Sequence, residues 1–366
     1  MKAWVLVATL LAATGCATTP SRIIAYVYKD ADISRISAEK LTHINYAFAL
    51  VSESGEVVLS DPEAPARIAR MQALKARNPR LKILLSVGGW GADHFSDAAL
   101  TDESRKKFAA SAVMLLKSYA LDGIDLDWEY PGQPGPGIQY RAEDKQNFTL
   151  LLEEMRRQLG PQSLLTIASS AGPYFEHTEM DKLHVYLDWI NIMTYDFAGS
   201  WAPATGHHSA LYWNPMAGPS GPSASEFVRQ HLAAGIPSRK LVLGVPFYGR
   251  GWTGVKPDNH GFLQPWTEAV EYSWSTLSRE RGFERHWDPI AQAPYLWNPE
   301  SRTFVSYDDP QSLRVKLRFI RRHRLGGVMY WEHSHDPGEE LLDVLATGVG
   351  RPARLRRASC PPAACP

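Results

Sequence analysis

Asp122-Gly-Ile-Asp-Leu-Asp-Trp-Glu-Tyr-Pro131 alternates acidic and bulky apolar residues with the two-residue period of a β-strand. Successive strand side chains point to opposite faces, so Asp125, Asp127 and Glu129 share one face while Ile124, Leu126 and Trp128 share the other. The apolar set needs a covering layer, which a solvated edge strand would not supply. The segment therefore reads as an inner strand of a parallel sheet, its apolar side under helices and its acidic side facing inward at the C-terminal end. An oxygen-ligand calcium loop is the other meaning of clustered acids, but its fixed spacing and glycine are missing.

Like charges roughly 6.5 Å apart along one strand, in a site partly closed to water, push at least one carboxyl toward its neutral form. A carboxylic acid that keeps its proton is what protonation of a glycosidic oxygen requires. Glu129, outermost and longest, is the candidate acid, and Asp125 and Asp127 lie deeper and can share a proton. Ordinary retaining glycosidases place acid and nucleophile on opposite sides of the sugar, which neighbours on one strand cannot easily do. The attacking group is then expected to come from the substrate, an N-acetyl group on the sugar, with Asp127 orienting and stabilising it.

Outward from this strand, β-branched or aromatic runs alternate with amphipathic stretches. The pattern predicts strands over 22–28, 42–50, 81–87, 123–129, 164–170, 188–194, 241–245 and 327–331. The clearest helices fall over 103–120, 142–159, 224–234 and 312–322, where apolar residues recur three and four apart. Eight strand–helix units in one domain predict an α/β fold of the (β/α)8 barrel type. A doubly wound open sheet is the rival, but no glycine-rich phosphate turn follows the first strand. The spacing breaks after the seventh strand, where 250–309 is too long for a βα loop. Within it 285–289, 293–297 and 303–307, with Asn298-Pro-Glu-Ser301 as a turn, predict an antiparallel meander. The expected organisation is a TIM barrel over 16–249 and 310–348 with a small α+β domain, 250–309, inserted between strand 7 and helix 7.

The 366 residues are 44% hydrophobic and 21% charged, enough for a large core. Lys+Arg and Asp+Glu both total 39, so no overall field gathers nucleic acid or anionic lipid. Met1-Lys2, the apolar run 3–13 and Thr14-Gly15-Cys16 have the form of an export signal, too short to remain as a spanning helix. Thr-Gly-Cys resembles the bacterial lipobox, which implies loss of residues 1–15 and a lipid on Cys16 that anchors the protein to a membrane. Plain cleavage and secretion is the alternative. Cys360 and Cys365 lie in an Arg/Pro/Ala-rich tail, 349–366, expected to be unfolded, where they either close a small loop or stay unpaired. Between them and Cys16 there is no cysteine, so the fold owes nothing to disulfides. Neither a cofactor nor a metal is expected. His207 and His208 lack a third ligand of suitable spacing and read as surface or loop-packing residues.

With these motifs in place, Asp122-Gly-Ile-Asp-Leu-Asp-Trp-Glu129 resembles the DxxDxDxE signature of glycoside hydrolase family 18, the chitinases and their relatives. Ser86-Val-Gly-Gly-Trp90 is similar to the family's SxGG motif on strand three, Met193-Thr-Tyr-Asp196 to its MxYD on strand six, and Gly326-Gly-Val-Met-Tyr-Trp331 to its strand-eight ending. Val245-Pro-Phe-Tyr-Gly-Arg250 followed by an insertion resembles the bacterial subfamily with an α+β domain there. The resemblance implies Glu129 as proton donor, Asp127 at the acetamido nitrogen while an oxazolinium ring forms, and Asp125 holding Asp127 in its alternative orientation. Ser86 and Tyr26 would partner Asp125 deeper in the barrel, with Gly88 and Gly89 crowding the site. Tyr195 would donate to the acetamido oxygen and Asp196 would bond the same sugar. Trp331 would be the floor under the cleaved sugar, extended by Trp90 and Trp201 toward the leaving group. Tyr130 and Arg250 are expected to touch substrate, and Met193 and Phe48 to line the barrel and reach the sugar.

The implied partner is chitin or a chito-oligosaccharide, cut by a monomeric enzyme. A lectin on the same barrel would have lost Glu129, which is intact here with Asp125, Asp127, Tyr195 and Asp196. An N-acetylglucosaminidase acting on peptidoglycan or N-glycans would keep the acid motif, and stays open as an alternative.

Overall fold

The computed structural model describes residues 21–349; the leader, Cys16 and the segment from 350 onward with Cys360 and Cys365 lie outside the described residues. Strands β1 (Arg22–Val27) and β2 (His43–Val51), the latter carrying an antiparallel arm β3 (Val57–Val58), are followed by β4 (Lys82–Gly88) and β5 (Gly123–Asp127). Then come β6 (Leu164–Ser169), β7 (Trp189–Ile192) and β8 (Leu241–Pro246). After a second sheet, β9 (Tyr248–Thr253), β10 (Glu268–Ser273), β11 (Glu284–Asp288), β12 (Ala293–Asn298) and β13 (Thr303–Ser306), the chain returns with β14 (Gly327–Trp331). Strand β1 pairs in parallel with both β2 and β14, which closes β1, β2, β4 to β8 and β14 into an eight-stranded parallel barrel with no free edge.

Helices between the strands start where the sequence offers caps. The Thr101 side chain accepts from the Ser104 amide to open helix Asp102–Ser118, and Asp309 accepts from Gln311 and Ser312 to open helix Pro310–His323. Their apolar stripes cover the outer faces of the strands. Trp128, with its ring stacked 5.3 Å from that of Phe95 and set edge-on to Phe148, belongs to this layer. Inside the barrel a smaller apolar cluster of Ile24, Leu84, Trp189, Val242 and Met329 packs around polar residues, with Phe48, Met193 and Tyr195 at its upper side.

Two strands end two residues earlier than their alternation predicts. Strand β5 stops at Asp127 rather than 129, because β6 pairs with it only as far as Leu126. Trp128 and Glu129 keep the strand's phase but leave the ladder, which lets Glu129 stand in the barrel mouth. Strand β7 covers Trp189–Ile192 rather than 188–194, since Thr194 turns its hydroxyl to the Gly244 carbonyl at 2.5 Å.

The inserted sheet has the order β10-β9-β13-β12-β11 and is antiparallel throughout. The meander of β11, β12 and β13 stands where 285–307 predicts it. Sequence reading misses β9 and β10, which enlarge the sheet to five strands: β9 carries Gly249 and Gly251 and β10 is largely exposed, so neither shows an apolar run. The sheet begins at Tyr248, with Phe247 alone between β8 and β9, and its helical content is the turns Asp258–Gly261 and Trp274–Leu277. Its core is Trp252, Val255, Phe262, Trp297 and Phe304. Where the chain leaves the sheet, buried Lys316 pairs with buried Asp308, which also accepts from Ser312 at 2.6 Å and Ser209 at 3.2 Å.

Candidate active site

The acidic face of β5 points into the barrel. Asp125 is fully buried and accepts four hydrogen bonds: Tyr26 Oη and Ser86 Oγ at 2.8 Å on Oδ2, Thr166 Oγ1 at 2.5 Å and Asn191 Nδ2 at 3.1 Å on Oδ1. Burial pushes its carboxyl up and these donors pull it back, with burial prevailing. Both oxygens are thereby engaged, and in the orientation present here Asp127 is not bonded to Asp125. Asp127 is 5% exposed and its Oδ1 has no partner among the described residues. Burial first, then the charges of Glu129 and Asp125, hold it well above the usual carboxylate range. Glu129, half-buried at the mouth, is pushed up to about 7 by burial; the Tyr130 hydroxyl draws it back and Asp196 adds to the rise.

Residues after β7 form the wall facing this strand. The Tyr195 hydroxyl rests 3.9 Å from the Met329 thioether, a weak acceptor that a stronger one would displace. Burial and the neighbouring carboxylates keep that hydroxyl protonated. Asp196, with a left-handed backbone (φ 58°), accepts from Tyr248 at 2.7 Å and from Arg250 Nε and Nη2 at 2.9 and 2.8 Å. Burial would raise Asp196, but His208 and Arg250 outweigh it and hold the carboxyl well below its usual range. Asp196 and Arg250, both expected at the sugar, thus meet each other in an ion pair on the groove wall.

Aromatic rings pave the groove. Phe48 stacks on Trp331 at 5.6 Å and 19°, with Tyr26 and Tyr28 beside it. Trp90 and Trp201 are 67% and 61% exposed, Trp90 edge-on to Tyr130 and Trp201 under the Arg250 guanidinium. Close approach needs the two glycines: a Cβ on Gly88 would lie 2.1 Å from the Asp127 carbonyl oxygen, and one on Gly89 2.7 Å from the Phe48 ring, both at positive φ. The cavity so bounded measures about 1500 Å³ and is lined by Tyr26, Phe48, Gly88, Gly89, Trp90, Asp127, Glu129, Tyr130, Met193, Tyr195, Asp196, Trp201, Arg250 and Trp331. Asp125 and Ser86 lie beneath it.

Thr166, Asn191, Tyr248 and Met329 are parts of the site to which sequence reading gives no role. Thr166 and Ser86 both sit in register with Asp125 across the sheet, a signal available only once strand pairing is known. His207 and His208 are not surface residues: His208 is fully buried 3.6 Å from Asp196, and His207 bonds Asp288 at 3.0 Å. They pack the loop, His207 bonded to Asp288 of β11 and His208 enclosed beside Asp196.

The sequence profile of "Glycosyl hydrolases family 18" matches residues 22–336. Chitinase A1 of Niallia circulans is 38% identical over 86% of this chain, which spans 55% of that protein's length. Chitinase B of Serratia marcescens is 31% identical over 83% of this chain and 75% of its own. The solved structure of a glycoside hydrolase family 18 N-acetylglucosaminidase from Paenibacillus barengoltzii superposes with a TM-score of 0.83 at 39% identity, over 90% of this chain and 99% of that one. With its acidic strand, closed barrel and second sheet accounted for, the chain belongs to the glycosyl hydrolases of family 18.

Proposed function

We propose that this chain hydrolyses β-1,4 linkages between N-acetylglucosamine units, in chitin or chito-oligosaccharides, with retention at the anomeric carbon. The observation that carries this reading is the one cavity shared by Glu129, which burial keeps protonated up to about 7, and Asp127, whose Oδ1 has no partner among the described residues. Glu129 gives its proton to the glycosidic oxygen as the C1–O bond breaks. The acetamido carbonyl oxygen of the same sugar attacks C1 and closes an oxazolinium ring, with Asp127 accepting from the acetamido N–H and offsetting the positive charge. Tyr195 leaves Met329 to donate to the acetamido oxygen and position it. The Glu129 carboxylate then takes a proton from a water whose oxygen attacks C1, the oxazolinium C1–O bond breaks to restore the acetamide, and the anomer is retained. Asp125 acts only through its neighbours, as a positioning residue. Asp196, neutralised by Arg250, is not available as a second nucleophile. Trp331 and Phe48 carry the sugar face, and Trp90 and Trp201 the leaving-group side.

Incubation with N-acetylglucosamine oligomers of defined length, following products and anomers, tests the reading. Retained anomers and failure to cleave fully deacetylated chitosan are expected; inversion, or chitosan cleavage at a comparable rate, overturns it. Release of single N-acetylglucosamine units from chain ends is a second reading, supported by the likeness to the P. barengoltzii enzyme along 99% of its length. A product series with only the monosaccharide and the shortened chain selects it. We infer further, from Thr14-Gly15-Cys16 alone, that the exported protein is lipidated on Cys16. Absence of palmitate label on that residue refutes this.

A further inference from the structure

Glu284 and His286 are two apart on β11 and so share a face of the inserted sheet. His260, left-handed at φ 51° in the turn Asp258–Gly261, brings its ring to 4.3 Å from that of His286. One ligand atom from each of the three lies within 4.8 Å of the others. His286 Nε2 and Glu284 Oε2 are already 3.5 Å apart. Two ligands held at 2.0–2.2 Å by a tetrahedral ion are about 3.4 Å apart, so this pair needs almost no movement. His286 Nε2 is buried and makes no hydrogen bond among the described residues. An orphaned ring nitrogen aimed at a carboxylate and a second imidazole is costly unless something polar joins them.

We propose that His260, Glu284 and His286 bind a divalent transition-metal ion of the zinc type. Two imidazoles and one carboxylate suit zinc, nickel or copper, whereas calcium and magnesium take sets made of oxygen. Three protein ligands leave one position to water, and the exposed His260 side gives the ion access. Tyr295, directly across from His286 in the strand pairing, stacks on it at 5.0 Å and 13° and holds that ligand's ring plane.

The location gives the ion a structural task. In the sheet order β10-β9-β13-β12-β11 the groove-lining residues Arg250 and Glu271 come from β9 and β10, and β11 is the opposite edge. The ion ties the turn that follows β9 to that far edge, and takes no part in hydrolysis.

The test uses untagged full-length protein freed of metal with a chelator. Zn2+ titration by calorimetry should give one saturable site, and Co2+ the visible absorption of a four-coordinate centre. His260→Ala, in an exposed turn, and His286→Ala should each weaken that site by more than about 10-fold, since losing even an outer-shell partner costs that much. Zn2+ should raise the melting temperature of the wild type and not of either variant, with hydrolysis rates equal with and without the ion. The proposal is overturned if wild type takes up no ion, or if a folded His260→Ala protein binds it as tightly as wild type.

Discussion

Replacing Glu129 by Gln should cripple the enzyme and stabilise the fold, and the second effect should depend on pH. Glu129 holds its proton to about 7, against 4.5 for an ordinary glutamate. Burial is the main cause; the bond from Tyr130 pulls the other way and Asp196 adds to the rise. Between those two values the unfolded chain has released a proton that the native protein still binds, so native stability falls as pH rises through this window. The full difference corresponds to at most about 3 kcal/mol, and the half-buried position at a water-filled mouth reduces it to about 1–3 kcal/mol. Gln keeps the shape and removes the charge. Urea unfolding of wild type and Glu129→Gln should therefore coincide near pH 4, diverge in favour of the variant between about 4.5 and 7, and run parallel above. Removing the Glu129 charge also relieves Asp127, which it pushes up, and that acts in the same direction. Initial rates on a chito-oligosaccharide should fall by about 10²- to 10⁴-fold, the usual worth of a positioned acid. A variant that turns over like wild type, or a stability difference that does not change with pH, refutes the reasoning.

Thr166→Val removes one of four donors to buried Asp125 and should cost about 1–3 kcal/mol in urea unfolding, with kcat falling more than KM rises; a neutral result in both removes Thr166 from the site. Gly88→Ala sets a Cβ 2.1 Å from the Asp127 carbonyl oxygen at φ 119° and should destabilise by about 3 kcal/mol or more, so a fully active variant with an unchanged Tm contradicts the packing. Lys316→Met strands the Asp308 carboxylate in the interior and should cost about 3–5 kcal/mol in thermal unfolding, whereas a loss under about 1 kcal/mol would mean that Asp308 finds other partners.

The acid strand, the eight parallel strands and the meander of the inserted sheet were legible because each is written in local alternation. Alternation also assigned Asp125, Asp127 and Glu129 to one face, which holds in the barrel even where the ladder has ended. Strands β9 and β10 were not legible, since glycines and exposed polar residues leave no period to follow. The partners of Asp125 were only partly legible: the resemblance pointed to Tyr26 and Ser86, while Thr166 and Asn191 stand 41 and 66 residues away along the chain with nothing local to mark them.

By itself the sequence determined which side chains share a strand face, and hence that three acids would be confined together and one of them kept protonated. Tertiary structure decided which partners each of the three meets. Strand register gives Asp125 four donors and leaves Asp127 without a bond from it, because a slip of one residue would turn every one of those partners to the other face. Chain closure likewise brings Arg250 of the inserted sheet onto Asp196 of the barrel, a pairing between elements that no local pattern encodes.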